Sequence, residues 1–179
     1  MRWDDVFADL EADAAGLEGR ERDAEIADRT RGELARITLA DRFRAALGRT
    51  VSVRVVGVGV LEGAVTRIAA PWLLLETAGA SEWLVAWPAV VSASGLPRQA
   101  VSAPPRQVAA ALGWSATWRV LARDRATVHV VRHDASTLTA VPERAGSDFV
   151  ELRTGSAVAA TVELVPYNAV MAVRCPRER

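Results

Sequence analysis

The residues from Thr50 to Leu75 occur twice in this chain. Moved forward by 77 positions, the stretch lies over Thr127 to Leu152 without a gap. Thr50, Val51, Val53, Leu61, Arg67 and Leu75 meet identical residues at Thr127, Val128, Val130, Leu138, Arg144 and Leu152. Trp72 meets Phe149 and Leu73 meets Val150, so the apolar pattern persists where identity is lost. Self-similarity at a fixed offset means one supersecondary unit built twice. Further on the offset grows to 80, and Val85, Ala89 and Val90 meet Val165, Ala169 and Val170. The added residues belong in the hairpin between strands three and four of the second copy, because loops accept insertions.

The repeated unit reads as β. Val51, Val53 and Val55 alternate with Ser52 and Arg54, which gives a strand one buried face. Gly57 and Gly59 then bracket a turn or bulge. Further strands are expected over Val60–Ile68, Trp72–Thr77, Glu82–Trp87 and Val90–Ala93, with Gly63 where a strongly bent strand wants no side chain. The second copy predicts strands over Thr127–Arg132, Ser136–Val141, Asp148–Arg153, Ala159–Val165 and Ala169–Val173. Pro142 should close or bulge its strand, at an edge. Trp87-Pro88-Ala89 and Pro166-Tyr167-Asn168 read as single tight helical turns before the last strand of each copy.

Helices precede both copies. Residues 1–37 read as an amphipathic and charged helical segment, with Trp3, Val6, Phe7, Leu10, Ala14 and Leu17 expected on one stripe. That stripe either folds back on the β units or serves as a dimerising or partner-docking arm. A second helix runs from Thr38 to Leu47, with Thr38 as N-cap and Gly48 as stop. The first unit with its leading helix spans 38–95, a proline-containing linker 96–107, the second unit with its helix 108–175, and a short tail 176–179. The fold class is mainly β with N-terminal helices (α+β).

Charge weighs against some functions. The 22 basic residues, all arginine, balance 22 acidic ones. Residues 1–47 hold 8 Arg against 12 Asp or Glu, whereas residues 96–179 hold 11 Arg against 7. A binder that lives on phosphate contacts carries a larger excess. The single cysteine, Cys175, allows no intrachain disulfide and no cysteine-rich metal site. The acidic N-terminus does not read as a secretory signal, and no run approaches the roughly 20 apolar residues of a membrane span. A soluble, cytoplasmic chain is the expectation.

The order of a helix, four short strands, a helical step and a fifth strand resembles the Sm-like fold, a small and strongly bent five-stranded barrel. The resemblance covers about residues 38–94 and 115–174, on alternation, a glycine turn after strand one and Gly63 in strand two. The chain is also similar to uncharacterised two-barrel proteins of actinobacteria at MRWDDVFADLEA and at DFVEL…VPYNAV. The resemblance implies two tandem five-stranded Sm-like barrels, each preceded by a helix, which join neighbours through strands four and five. It also implies RNA binding, which the residues do not carry over. The family's uridine-binding Asp falls near Ala69 or Gly146, its Asn at Leu73 or Val150, and its Arg-Gly step at Trp87-Pro88 or Tyr167-Asn168.

Little in the chain looks like chemistry. His129 and His133, four apart along a strand and its turn, stand about 13 Å apart, too far to share a metal. Gly57-Val58-Gly59 lacks the third glycine and the following helix of a dinucleotide loop. Arg174 and Arg177 beside Cys175 would lower a thiol pKa, but without a His or Asp signature the thiol reads as inert. No catalytic, cofactor-binding or metal-binding residue and no cofactor is expected. Two readings of function remain. The first is a non-enzymatic interaction or scaffold protein that self-associates or binds a protein partner through Trp3, Phe7, Leu10, Trp83 and Trp87. The tryptophans on strand four either pack on the other barrel or another subunit, or simply fill a core. The second is an RNA- or DNA-binding regulatory protein using Arg119, Arg123, Arg125, Arg132 and Arg144.

Overall fold

The computed structural model describes residue 32 and residues 34–79, 81–102, 112–155 and 160–176. The chain divides between Thr38 and Leu39, and both copies of the repeat lie in the second unit, Leu39–Arg179. The expected helical arm over 1–37 falls almost wholly outside the described residues.

Helix α1 (Leu39–Arg44) opens the first copy, with Asp41 in its first turn and Arg42 and Arg44 in its last. That charge order follows the helix dipole, and Arg44 also pairs with Asp41 one turn away. The chain leaves the helix through Gly48, whose φ of 76° only glycine adopts without strain. Its N–H donates to the Val65 carbonyl at 2.8 Å. Strands β1 (Thr50–Val55), β2 (Gly59–Ile68), β3 (Trp72–Thr77) and β4 (Ser81–Ala86) follow, then a 3-10 turn (Trp87–Ala89) and β5 (Val90–Ser94). The second copy repeats them. Helix α2 (Trp114–Arg123) leads to β6 (Val128–Arg132), β7 (Thr137–Ala145), β8 (Phe149–Thr154) and β9 (Thr161–Pro166), then a 3-10 turn (Tyr167–Ala169) and β10 (Val170–Pro176).

The repeat holds at the level of register. Val51 faces Gly63 and Val128 faces Ala140. The ladder between β2 and β3 slips between Val65 and Arg67, and that between β7 and β8 slips between Pro142 and Arg144, the same place in each copy. The ladder from β1 to β5 slips after Arg54, and that from β6 to β10 slips after Val131, again at matching positions. Such bulges bend a strand and sharpen its twist. Pro142 sits two residues past the last β6 partner, Ala140, so its missing N–H breaks no bond on that side.

The ten strands form one antiparallel sheet in the order β5-β1-β2-β3-β4-β10-β6-β7-β8-β9. The expectation of two closed five-stranded barrels is therefore corrected to a single open sheet, mainly β with two helices. Each half stays open at β4 or β9, and the open edge of the first half is taken by β10 of the second. The physical reason is size. A half of this length buries too little surface to be stable alone, and a β4 edge left bare exposes unpaired N–H and C=O groups. Pairing β4 with β10 removes both problems at once.

Two cores result. Phe43, Val53, Val65, Leu73, Leu75 and Val85 belong to the first. Trp118, Val128, Val130, Val150, Leu152 and Val173 belong to the second. The junction strands feed both, because successive side chains point to opposite faces. Leu73 and Val85 enter the first core while Trp72 and Leu84 enter the second, and from the other half Val131, Met171 and Ala172 enter the first.

Gly63 is where β2 pairs on both sides, with Val51 and with Thr77. A Cβ there would lie 2.5 Å from the Glu76 carbonyl oxygen, which is backbone and cannot swing away. Gly63→Ala should therefore destabilise the protein by about 1–3 kcal/mol, the usual cost of overpacking. Urea unfolding checks this, and a variant as stable as the native chain would show that the ladder absorbs the methyl.

Candidate protein interface

The two ends of the sheet carry exposed aliphatic side chains on strands whose outer sides are unpaired among the described residues. No described strand pairs with the outer side of β5 or of β9. Val91 on β5 is 59% exposed, and Val162 and Leu164 on β9 are 44% and 59% exposed. The repeat supplies a control for each position. Leu84 on β4 occupies the place of Leu164, and Met171 on β10 the place of Val91. Both are only 7% exposed, Leu84 in the second core and Met171 in the first. The same chemistry is thus buried at the internal junction and bare at the ends. Edge strands are ordinarily guarded by charge, proline or a bulge. Strand β9 carries Glu163 and ends in Pro166, but β5 reads Val-Val-Ser-Ala-Ser, with neither charge nor proline.

The tryptophans named from the sequence are differently placed. Trp3, Phe7 and Leu10 lie outside the described residues. Trp83 stands on β4 opposite Arg174 of β10 and is half-buried against the first core. Trp87 begins the 3-10 turn, past the end of β4, so the two do not alternate along one strand. Its indole N–H donates to the Ala69 carbonyl at 3.1 Å, and its ring meets Phe43 edge-on at 5.5 Å. Tyr167 does the same in the second copy, its hydroxyl donating to the Gly146 carbonyl at 2.9 Å. Both aromatics tie the turn before the last strand to the turn before the third. Trp72 and Trp118 are buried, and Trp118 stacks on Trp114 at 6.1 Å.

Four of the five candidate arginines gather where α2 crosses β7. Arg119, Arg123 and Arg144 line one shallow cleft with Glu143, and Arg123 and Arg125 line a second with Glu143 and Arg153. Carboxylates interleave them: Arg144 pairs with Glu151 at 2.8 Å, Arg153 with Glu143 at 2.8 Å, and Arg123 with Asp124 at 3.1 Å. Arg132 stands apart on β6 and pairs with Glu163 of β9.

The remaining polar groups make structural bonds. The His129 ring nitrogen Nδ1 lies 2.8 Å from the Thr139 hydroxyl across the β6–β7 ladder. Asp134 accepts from the Ser136 N–H at 3.0 Å and from its hydroxyl at 2.5 Å, closing the turn next to Ala135 at φ 63°. These bonds hold the Asp134 carboxyl below its ordinary pKa. Cys175 corrects the expectation from its flanking arginines. Burial first, then the nearby Glu82, pushes its thiol up to about 11. An apolar cleft of about 250 Å³ lies under α2, between Trp72, Leu74, Leu84, Leu112, Leu121 and Cys175. Among the described residues no helix is long and apolar enough to cross a membrane. No protein-family model and no curated protein matches the chain.

The edge residues Val91, Val162 and Leu164 were not singled out by sequence reasoning. The signal that finds them is the repeat itself, which places Leu164 over Leu84.

Two consequences are measurable. Trp87→Phe keeps a six-membered aromatic ring but removes the pyrrole ring with its N–H donor, so the lost bond and the small cavity together should cost roughly 1–3 kcal/mol in a denaturant titration. Alkylation of Cys175 at pH 8 should run about a hundredfold slower in the folded than in the unfolded chain, since two pKa units remove that share of thiolate. Its rate should climb towards pH 11 rather than pH 9; equal rates would place the thiol in solvent.

Proposed function

We propose that this chain is a non-enzymatic protein-interaction module that binds by extending its sheet. The observation that carries the reading is the contrast between Leu84 at 7% and Leu164 at 59% exposure, the same position with and without a neighbouring strand. Strand addition suits such an edge, because main-chain hydrogen bonds supply affinity and alternate side chains supply selectivity. The Sm-like reading of each half is supported by its order of helix, strands and 3-10 step, and by β5 lying beside β1. The chain is read as acting by assembly, without a cofactor.

A second reading rests on the arginines gathered between α2 and β7. It takes them as a contact for RNA or DNA phosphates. Glu143 inside both clefts and Glu151 at the rim weigh against a continuous positive track.

The double variant Val91→Arg with Leu164→Arg places charge on both edges at exposed positions, where folding is little affected. In native mass spectrometry the unaltered chain should retain protein, either its own copies or another chain, and the double variant should lose it at unchanged melting temperature. A chain that stays single and captures nothing through these edges would sink the interaction reading. Binding to nucleic acid that falls steeply with added salt would promote the second.

A further inference from the structure

We propose that the groove between the two 3-10 turns is a docking site for an uncharged, proline-rich segment of a partner protein, held in the polyproline II conformation. It is a second surface, separate from the sheet ends on which the reading above rests.

The pairing of the halves makes the groove. Strands β4 and β10 run antiparallel, with Val85 facing Ala172. The turn after β4 (Trp87–Ala89) and the turn before β10 (Tyr167–Ala169) therefore meet at the same end of that ladder. Between them lies a groove of about 450 Å³, walled by Trp87, Trp114 and Tyr167 together with Pro71, Pro88 and Asn168. Its aromatic rings are held from behind. Trp87 is tied to Ala69, Tyr167 to Gly146, and Trp114 lies on Trp118. Among the described residues none of the three rings stacks on another of them, so the walls do not close on one another.

Two properties select the occupant. No described residue that lines the groove carries a charge. A phosphate chain or a cationic side chain would leave its charge there without a partner, so an uncharged segment fits. The free polar groups supply N–H donors. The Trp114 indole N–H has no partner, yet it is not sealed from solvent as those of Trp72 and Trp118 are. The amide of Asn168, exposed at the rim, is also unpartnered. An ordinary peptide laid here would bring N–H groups of its own and leave some unpaired. Proline brings a carbonyl and no N–H. A polyproline II segment makes no internal hydrogen bonds, so its carbonyls stay free to accept. Its rings suit aromatic-lined grooves, and its stiffness lowers the ordering cost of binding.

The test uses the full chain and blocked decaproline, with a glycine-serine peptide of the same length as control. Titration calorimetry should show binding of the first and none of the second. In proton–nitrogen NMR spectra the Trp114 indole resonance should shift on binding while those of Trp72 and Trp118 stay in place. Trp114→Phe and Asn168→Ala each remove a donor and should weaken binding about two- to tenfold. Ala70→Glu puts bulk and charge on the wall at an exposed position, and should abolish binding at an unchanged melting temperature. No binding of decaproline, or undiminished binding by the Ala70→Glu variant, would overturn the proposal. The edge variant Val91→Arg with Leu164→Arg should bind the peptide as the unaltered chain does; loss there would put the peptide on a sheet end instead. Replacing Pro104 and Pro105 by serine should leave the affinity unchanged; a gain would make this chain's own linker the occupant and overturn the partner. A single-stranded oligonucleotide that shifts the same Trp114 resonance would overturn the choice of proline over a base.

Discussion

The ladder between β4 and β10 is the contact on which this structure depends. It converts two half-sheets into one, and it seals the edge each half would otherwise expose. Strand pairing alone is a modest gain, because main-chain bonds to water are exchanged for bonds to protein. What strengthens it is that the strands around it are buried on both faces. Leu73 and Val85 point into one core, Trp72 and Leu84 into the other. Each such side chain, fully buried, contributes about 1.5–3 kcal/mol. Neither half supplies that burial by itself, so the halves stabilise one another across the junction.

The two copies diverged in sequence while keeping their geometry. Bulges recur at matching places, and the turn before the last strand is held by an indole N–H in one copy and a phenol O–H in the other. Donor position survived where residue identity did not. One difference has a structural counterpart. Gly63 pairs on both sides, whereas Ala140 pairs only with Val128 and the next ladder starts at Val141. A methyl at the bend, followed by Pro142, coincides with β7 passing from one neighbour to the next without overlap. The ladders on either side of β7 are shorter than those on either side of β2.

On the interaction reading proposed above, function turns on the outer edges of the sheet. A sheet with this order has one end at β5 and the other at β9. Near α2 and β7, Arg123, Arg144 and Arg153 pair with Asp124, Glu151 and Glu143. The tryptophans that stood out in the sequence are largely spent inside the fold, on cores and turn bonds. Among the described residues, the sheet ends offer a partner backbone edge with a few aliphatic side chains.

Much of the local structure was readable from one dimension. Alternation located the strands within a few residues, the glycines marked bends, and the two offsets aligned the copies, because side-chain period and turn chemistry are local properties. Pairing between distant strands is not local. Whether β4 would curl back to close a barrel or take β10 as its neighbour depends on which choice buries more apolar surface over the whole chain. Only the folded arrangement decided that, and with it the opposite fates of Leu84 and Leu164, which occupy the same place in the repeat.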